Sequence, residues 1–164
     1  MTERPGDVRF AIPSDGEAVL GLMLEAYKEQ PTFKLSEQKM RDKIRLCTNV
    51  PEGKGFIGII GKPENLEGYI IATVSTYWYT DEPHIEELSN FVHPDFRNPG
   101  GHARKLIDFA KWVAEQFELP LLLGILSTKR LEPKIRLYQR QAKHCGAIFI
   151  HNSQHAEGLL SGMG

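Results

Sequence analysis

Residues 85–126 constrain the fold more than any other stretch, because they spell out one supersecondary unit in full. A strand read over 85–92 leads into a turn holding Gly100 and Gly101. A helical stripe follows, with Ala103, Leu106, Ile107, Ala110, Val113, Ala114 and Phe117 at three- and four-residue steps. Arg104, Lys105, Asp108, Lys111 and Glu115 take the opposite face. The run Leu-Leu-Leu-Gly-Ile-Leu at 121–126 comes next and reads as a strand buried on both faces. Strand, helix and strand in this order make a βαβ unit, so the two strands are expected to be parallel neighbours.

The remaining segments fit around that unit. Val8, Phe10 and Ile12 alternate with Arg9 and Ala11, predicting a strand over 8–12. Pro13-Ser14-Asp15 then offers Ser14 or Asp15 as a helix cap, and Ala18, Val19, Leu22, Met23 and Ala26 share one helical face. A second helix is expected from Ser36, carrying Met40, Ile44 and Cys47, and closed by Asn49-Val50-Pro51. The runs 55–61 and 68–78 flank the turn Lys62-Pro63-Glu64-Asn65 and predict an antiparallel hairpin. A helix over 132–144 presents Ile135, Leu137, Tyr138 and Ala142; Gly146 ends it, and 147–151 reads as a last strand before a frayed tail at 152–164. The expected order is β-α-α-β-β-β-α-β-α-β. That is one α/β (α+β) domain over 1–164 with its core at about 8–151 and a mixed, mostly antiparallel sheet.

Composition excludes several classes. The net charge of −1 argues against a nucleic-acid partner, which needs a basic surface. Two cysteines, Cys47 and Cys145, are too few for a disulfide framework, and no apolar run is long enough for a membrane span or a signal peptide. A cytoplasmic protein is the expectation. The six histidines show no metal-ligand spacing, so no metal is expected. Charge is unevenly spread: residues 97–143 hold ten Lys/Arg against four Asp/Glu, and residues 1–96 hold ten against sixteen. A basic C-terminal half suits a phosphorylated ligand and an acidic N-terminal half a cationic one, unless both are only solvated faces. The cluster Tyr77-Trp78-Tyr79 suits an acceptor pocket, the core or a homodimer interface.

The chemistry concentrates where the strand at 85–92 turns into the helix. Amides of a helix's first turn are unpaired and sit at the positive end of its dipole, which makes them a phosphate site. Gly100 and Gly101 allow close backbone approach, and Arg97 and Arg104 add charged donors; as an ordinary β-to-α connection the glycines would serve geometry alone.

Val92-His93-Pro94-Asp95-Phe96-Arg97, followed by Gly101-His102-Ala103-Arg104-Lys105-Leu106-Ile107, resembles the acyl-CoA-binding motif of the GNAT superfamily of N-acetyltransferases. The element order over 8–151 is similar to that family's, and Arg9-x-Ala11-x-Pro13-x-Asp15 looks like its usual opening. One departure is visible. The glycine in register with the helix is Gly101, one residue late, so Asn98-Pro99-Gly100 looks like an expanded phosphate loop; alternatively Gly100 is the family glycine and His102 replaces the small residue.

The resemblance implies a GNAT-like sheet with a splayed parallel strand pair and flanking helices. It implies acetyl-CoA as cosubstrate and a small-molecule or peptide amine as acceptor. Phe91 and Val92 would pair with the pantetheine arm, and Arg97, Asn98, Gly100, Gly101, His102, Ala103 and Arg104 would hold the diphosphate. Ser127 or Thr128 would stand where the family often has a cofactor-contacting Asn. Glu86 or Glu87 is implied as base, with Glu86 favoured by motif spacing, and Tyr138 as general acid toward the thiolate. The alternative is a catalytically silent acyl-CoA-binding or sensing module.

Overall fold

In the computed structural model of the chain, residues 1–29, 31–97, 100–126 and 131–151 are described. The elements are β1 (Val8–Phe10), α1 (Gly16–Glu29), α2 (Glu37–Thr48), β2 (Gly55–Lys62), β3 (Asn65–Thr76), β4 (Pro83–Val92), α3 (His102–Phe117), β5 (Leu121–Leu122) and α4 (Leu131–Gln141). The strands form one sheet in the order β1-β2-β3-β4-β5. Every pairing is antiparallel except the last, where Ile85 and Glu86 run parallel to Leu121 and Leu122.

Strand alternation decides what each face of the sheet buries. Ile57 and Ile59 of β2 and Tyr69 and Ile71 of β3 pack under α1 and α2 with Val19, Leu22, Met23 and Ile44. Phe56, Ile60, Ile70 and Ala72 pack on the other face under α3, against Leu106, Phe109, Ala110 and Val113. Phe109 lies on Gly58, where a Cβ would stand 2.6 Å from its ring, so this glycine sets how closely α3 approaches the sheet. At the entry to α1, Arg9 forks onto both oxygens of buried Asp15 at 2.9 Å, and the Ile12 amide donates to Asp15 as well. Those donors hold the Asp15 carboxyl below its usual range. Ser36 caps α2 by accepting from the Lys39 amide.

Strand β4 breaks the alternation. Ile71 pairs with Ser89 and Ala72 with Glu87, leaving Leu88 as an extra residue without a partner. This bulge swaps the faces: Ile85 packs under α3, whereas Phe91, six residues on, packs under α1 and α2.

The C-terminal part departs from the sequence expectation in two places. The predicted strand over 121–126 pairs only at Leu121 and Leu122, and its residues are half-buried or exposed rather than covered on both faces. After Leu122 the chain leaves β4, and Gly124, Ile125 and Leu126 line a cavity instead of a ladder. The strand expected over 147–151 does not form; Ile148 and Phe149 are 91% and 90% exposed. A two-residue edge strand offers too short a ladder to template another strand.

Candidate active site

Where β5 departs, β4 faces two adjoining cavities that share Asn90, Phe91, Lys134 and Tyr138 in their walls. The larger, about 480 Å³, lies under α1 and α2, and the smaller, about 180 Å³, lies at the start of α3.

The smaller cavity is built by backbone. Gly101 caps α3 at φ 62°, the left-handed region that glycine tolerates, and supplies no side-chain cap. No acidic residue occupies the first helical turn, so among the described residues the amides at the start of α3 have neither a side-chain cap nor a neighbouring carboxylate on their own helix. His102 is the first helical residue. Its ring stacks against Phe96 and its Nε2 lies 3.2 Å from Glu67 Oε1. The ring also folds over Gly100, where a Cβ would stand 2.4 Å from His102 Nδ1. Both glycines are therefore demanded here, one by φ and the other by space. Ala103, Val92 and Leu137 complete the wall. Arg97 lines this cavity too, but its guanidinium is engaged: Nε donates to the Val92 carbonyl at 3.0 Å, and the terminal nitrogen reaches both Glu29 oxygens at 2.9 and 2.8 Å. Arg104, more than half exposed, lies 3.7 Å from Asp108, one turn on.

The larger cavity holds the titratable pair. The Tyr138 hydroxyl donates to Glu87, 2.8 and 2.9 Å from its two oxygens. Glu87 is 8% exposed, and burial pushes its carboxyl up to about 8 against the relief given by Tyr138 and by the charge of Lys134. Burial, with the Glu87 charge behind it, also drives the Tyr138 hydroxyl well above its ordinary value, while the Asn90 side chain eases that shift. Asn90 Oδ1 is buried with no hydrogen-bond partner among the described residues. Tyr69, whose hydroxyl lies 2.8 Å from Ser89 Oγ, closes the floor beside Ile71. Glu86 points elsewhere: its side chain is 51% exposed and lies 3.7 Å from His84 Nε2.

The geometry thus brings together Glu87, Tyr138, Phe91, Val92, Arg97, Gly100, Gly101, His102 and Ala103 around one cleft, and leaves Glu86 and Arg104 outside both cavity walls. Asn98, Ser127 and Thr128 lie outside the described residues. Tyr77, Trp78 and Tyr79 are exposed and line neither cavity. Sequence reasoning missed Glu29, Lys134, Tyr69 and the Asn90 side chain, since nothing local marks residues that meet only through the fold. The cysteines offer no nucleophile at the pair: Cys47 is buried with its thiol pushed up to about 11, and Cys145 lies in neither wall. Among the described residues no cluster of His, Cys, Asp and Glu is placed to hold a metal, and no helix is long and apolar enough to cross a membrane.

A mixed sheet with a parallel, splayed edge pair and this helix arrangement is the GNAT fold. Among solved structures, the chain is similar to an integron cassette protein from the mobile metagenome of Cole Harbour Salt Marsh, at 20% identity and a TM-score of 0.68 over 90% of each chain. It is similar to the ribosomal-protein-alanine N-acetyltransferase of Brucella melitensis biovar Abortus 2308, at 18% identity and 0.65, over 88% of this chain and 97% of that one. The aminoglycoside N-acetyltransferase AAC(6')-Iy in complex with CoA matches at 13% identity and 0.67, over 90% and 94%. No family model matches the sequence, and no curated protein does.

Proposed function

We propose that the protein is an N-acetyltransferase that moves the acetyl group of acetyl-CoA directly onto an amine. One observation carries this reading: two adjoining cavities along β4, sharing four wall residues, reach from the start of α3 to the buried pair Glu87–Tyr138. Main-chain amides at one end suit a diphosphate, and a carboxyl tuned near neutral pH suits proton removal at the other. The CoA-bound neighbour with the same fold adds support.

The residues present fit the cosubstrate. Gly100 and Gly101 keep the α3 cradle open to phosphate oxygens, with Arg97 beside it as a charged donor. Between Glu87 and Val92 β4 has no parallel partner among the described residues, so this side can accept the pantetheine arm as an added strand. A backbone amide near Asn90 or Phe91 would polarise the thioester carbonyl and hold the developing oxyanion.

In the larger cavity the acceptor loses one proton to solvent and enters as a neutral amine. As the C–N bond forms and the C–S bond breaks, the nitrogen proton goes to the Glu87 carboxylate. Tyr138 gives its hydroxyl proton to the departing sulfur and recovers one from Glu87 across their hydrogen bond. Protons balance within the pair, and no covalent enzyme intermediate is needed.

The test is release of free thiol from acetyl-CoA across an amine panel, alongside CoA-induced thermal stabilisation. At a hundredfold excess over Kd, ligand binding should stabilise the fold by about 2.7 kcal/mol. A protein that CoA leaves thermally unchanged would refute the reading.

A further inference from the structure

The larger cavity has a charge of unexpected sign. The excess of Asp and Glu in residues 1–96 does not line it: among its described lining residues Glu87 is the one carboxylate, whereas Lys34, Lys39, Lys43 and Lys134 all stand in its wall. Lys39 and Lys43 sit one helical turn apart on α2, Lys34 on the connection before it, and Lys134 opposite, on α4.

The rest of α2 supplies the contrast. Arg41 pairs with Glu17 and Glu37, and Arg45 with Asp42, so the cations turned away from the cavity have carboxylate partners. Lys34, Lys39 and Lys43 have no ion-pair partner among the described residues. These three exposed lysines, on a concave wall and without an ion pair among the described residues, raise the local concentration of anions. Glu87 offsets little of this, because near neutral pH its carboxyl is largely protonated. Behind the lysines the wall is apolar, with Met23, Ala26 and Ile71, and the volume is that of a small-molecule site.

We infer that the acceptor is a small anionic amine, one whose amino group reaches Glu87 while a carboxylate or phosphate on the same molecule meets the lysine rim of α2 and α4. This rests on the acetyl-transfer reading and narrows it. It sets the chain apart from an aminoglycoside acetyltransferase of the same fold, since an aminoglycoside is a polycation that this wall repels. The cationic acceptor suggested by the acidic N-terminal half is replaced by its opposite.

The experiment compares matched amines on the full-length protein: amino acids against their carboxamides, amino-sugar phosphates against the parent amino sugars, and an aminoglycoside as polycation. The carboxylate or phosphate member should exceed its neutral partner in kcat/KM by roughly tenfold or more, with an advantage that shrinks as salt rises. Which anionic series leads identifies the charged group. In Lys39→Gln/Lys43→Gln the anionic-to-neutral ratio of kcat/KM should fall by roughly tenfold, with CoA-induced stabilisation reporting that the variant is folded. Preference for the neutral or polycationic members, or a ratio that ignores the lysines, overturns the inference and leaves acetyl transfer standing. No thiol release from any series overturns both.

Discussion

The two cavities on β4 share four residues in their walls yet are built on different physical terms. The smaller uses backbone: a left-handed Gly101, a Gly100 with no room for a Cβ, and the open amides of α3. The larger uses side chains from α1, α2, the α1–α2 connection, β3, β4 and α4, brought together by a bulge at Leu88. Backbone recognition suits a ligand that never changes, and a side-chain wall can be re-tuned residue by residue for a new one. Breaking one cavity should therefore leave the other measurable.

The largest effect should come from the acceptor side. Glu87→Gln should lower kcat by about 10²–10³ through loss of the base, with CoA-induced stabilisation unchanged. In the wild type, kcat/KM for the amine should rise with pH through about 8 as Glu87 ionises, and this limb should vanish in the variant. Stability moves the opposite way. The folded-state carboxyl is raised from 4.5 to about 8, so between those values the native state holds a proton that the unfolded chain has released. Wild-type stability should therefore fall as pH rises through that window. The glutamine variant, which keeps an acceptor for Tyr138, should escape the fall and gain up to about 3 kcal/mol near pH 7. A variant that is less stable and equally active would refute the assignment of Glu87.

Next in size is Tyr138→Phe, expected to lower kcat by roughly tenfold to a hundredfold. Because the two groups exchange one proton, the double variant with Glu87→Gln should cost much less than the product of the singles, with steady-state kinetics of all four proteins as the readout. Full additivity would separate the residues and break the relay.

These two residues also mark what the sequence could and could not reveal. The proposed cofactor side is contiguous: the βαβ unit, the glycines and the stripe from Ala103 to Ala114 are legible because they depend on local backbone geometry, while Phe117, expected on that stripe, is 45% exposed. The acceptor side is not. Period-two alternation cannot choose between Glu86 and Glu87, since the bulge at Leu88 shifts the pattern, and a bulge is set by ladder geometry rather than by a residue type. Lys34, Lys39, Lys43 and Lys134 read as solvated charges until the fold curls them around one space. The apolar run at 121–126 departs in the other direction: its apolarity predicts burial in a ladder, whereas its second half, Gly124, Ile125 and Leu126, borders the cleft that splaying opens.

On the proposed cofactor side, Gly100→Ala should weaken CoA binding by roughly tenfold, since relieving a 2.4 Å contact must swing the His102 ring off Phe96 and away from Glu67. Calorimetric titration with CoA is the measurement. At saturating CoA the pH limb near 8 should persist, because Glu87 and Tyr138 are untouched. Loss of that limb would mean that the cavities are one coupled unit rather than two.

The smallest effect tests a feature of the proposed cofactor cavity that opposes its ligand. Glu29 places a carboxylate in the wall where a diphosphate would lie and engages Arg97 through both oxygens. An incoming diphosphate must either displace that carboxylate from the guanidinium or bind beside an uncompensated negative charge. Both routes cost affinity, because Arg97 has one face to offer and Val92 already takes its Nε. Glu29→Gln removes the competing charge and leaves an amide that still fits. CoA should then bind about threefold more tightly at low salt, a gain that fades as ionic strength rises. If affinity falls instead, the carboxylate's work is to hold Arg97 ready, and the pair belongs to the phosphate site rather than competing with it.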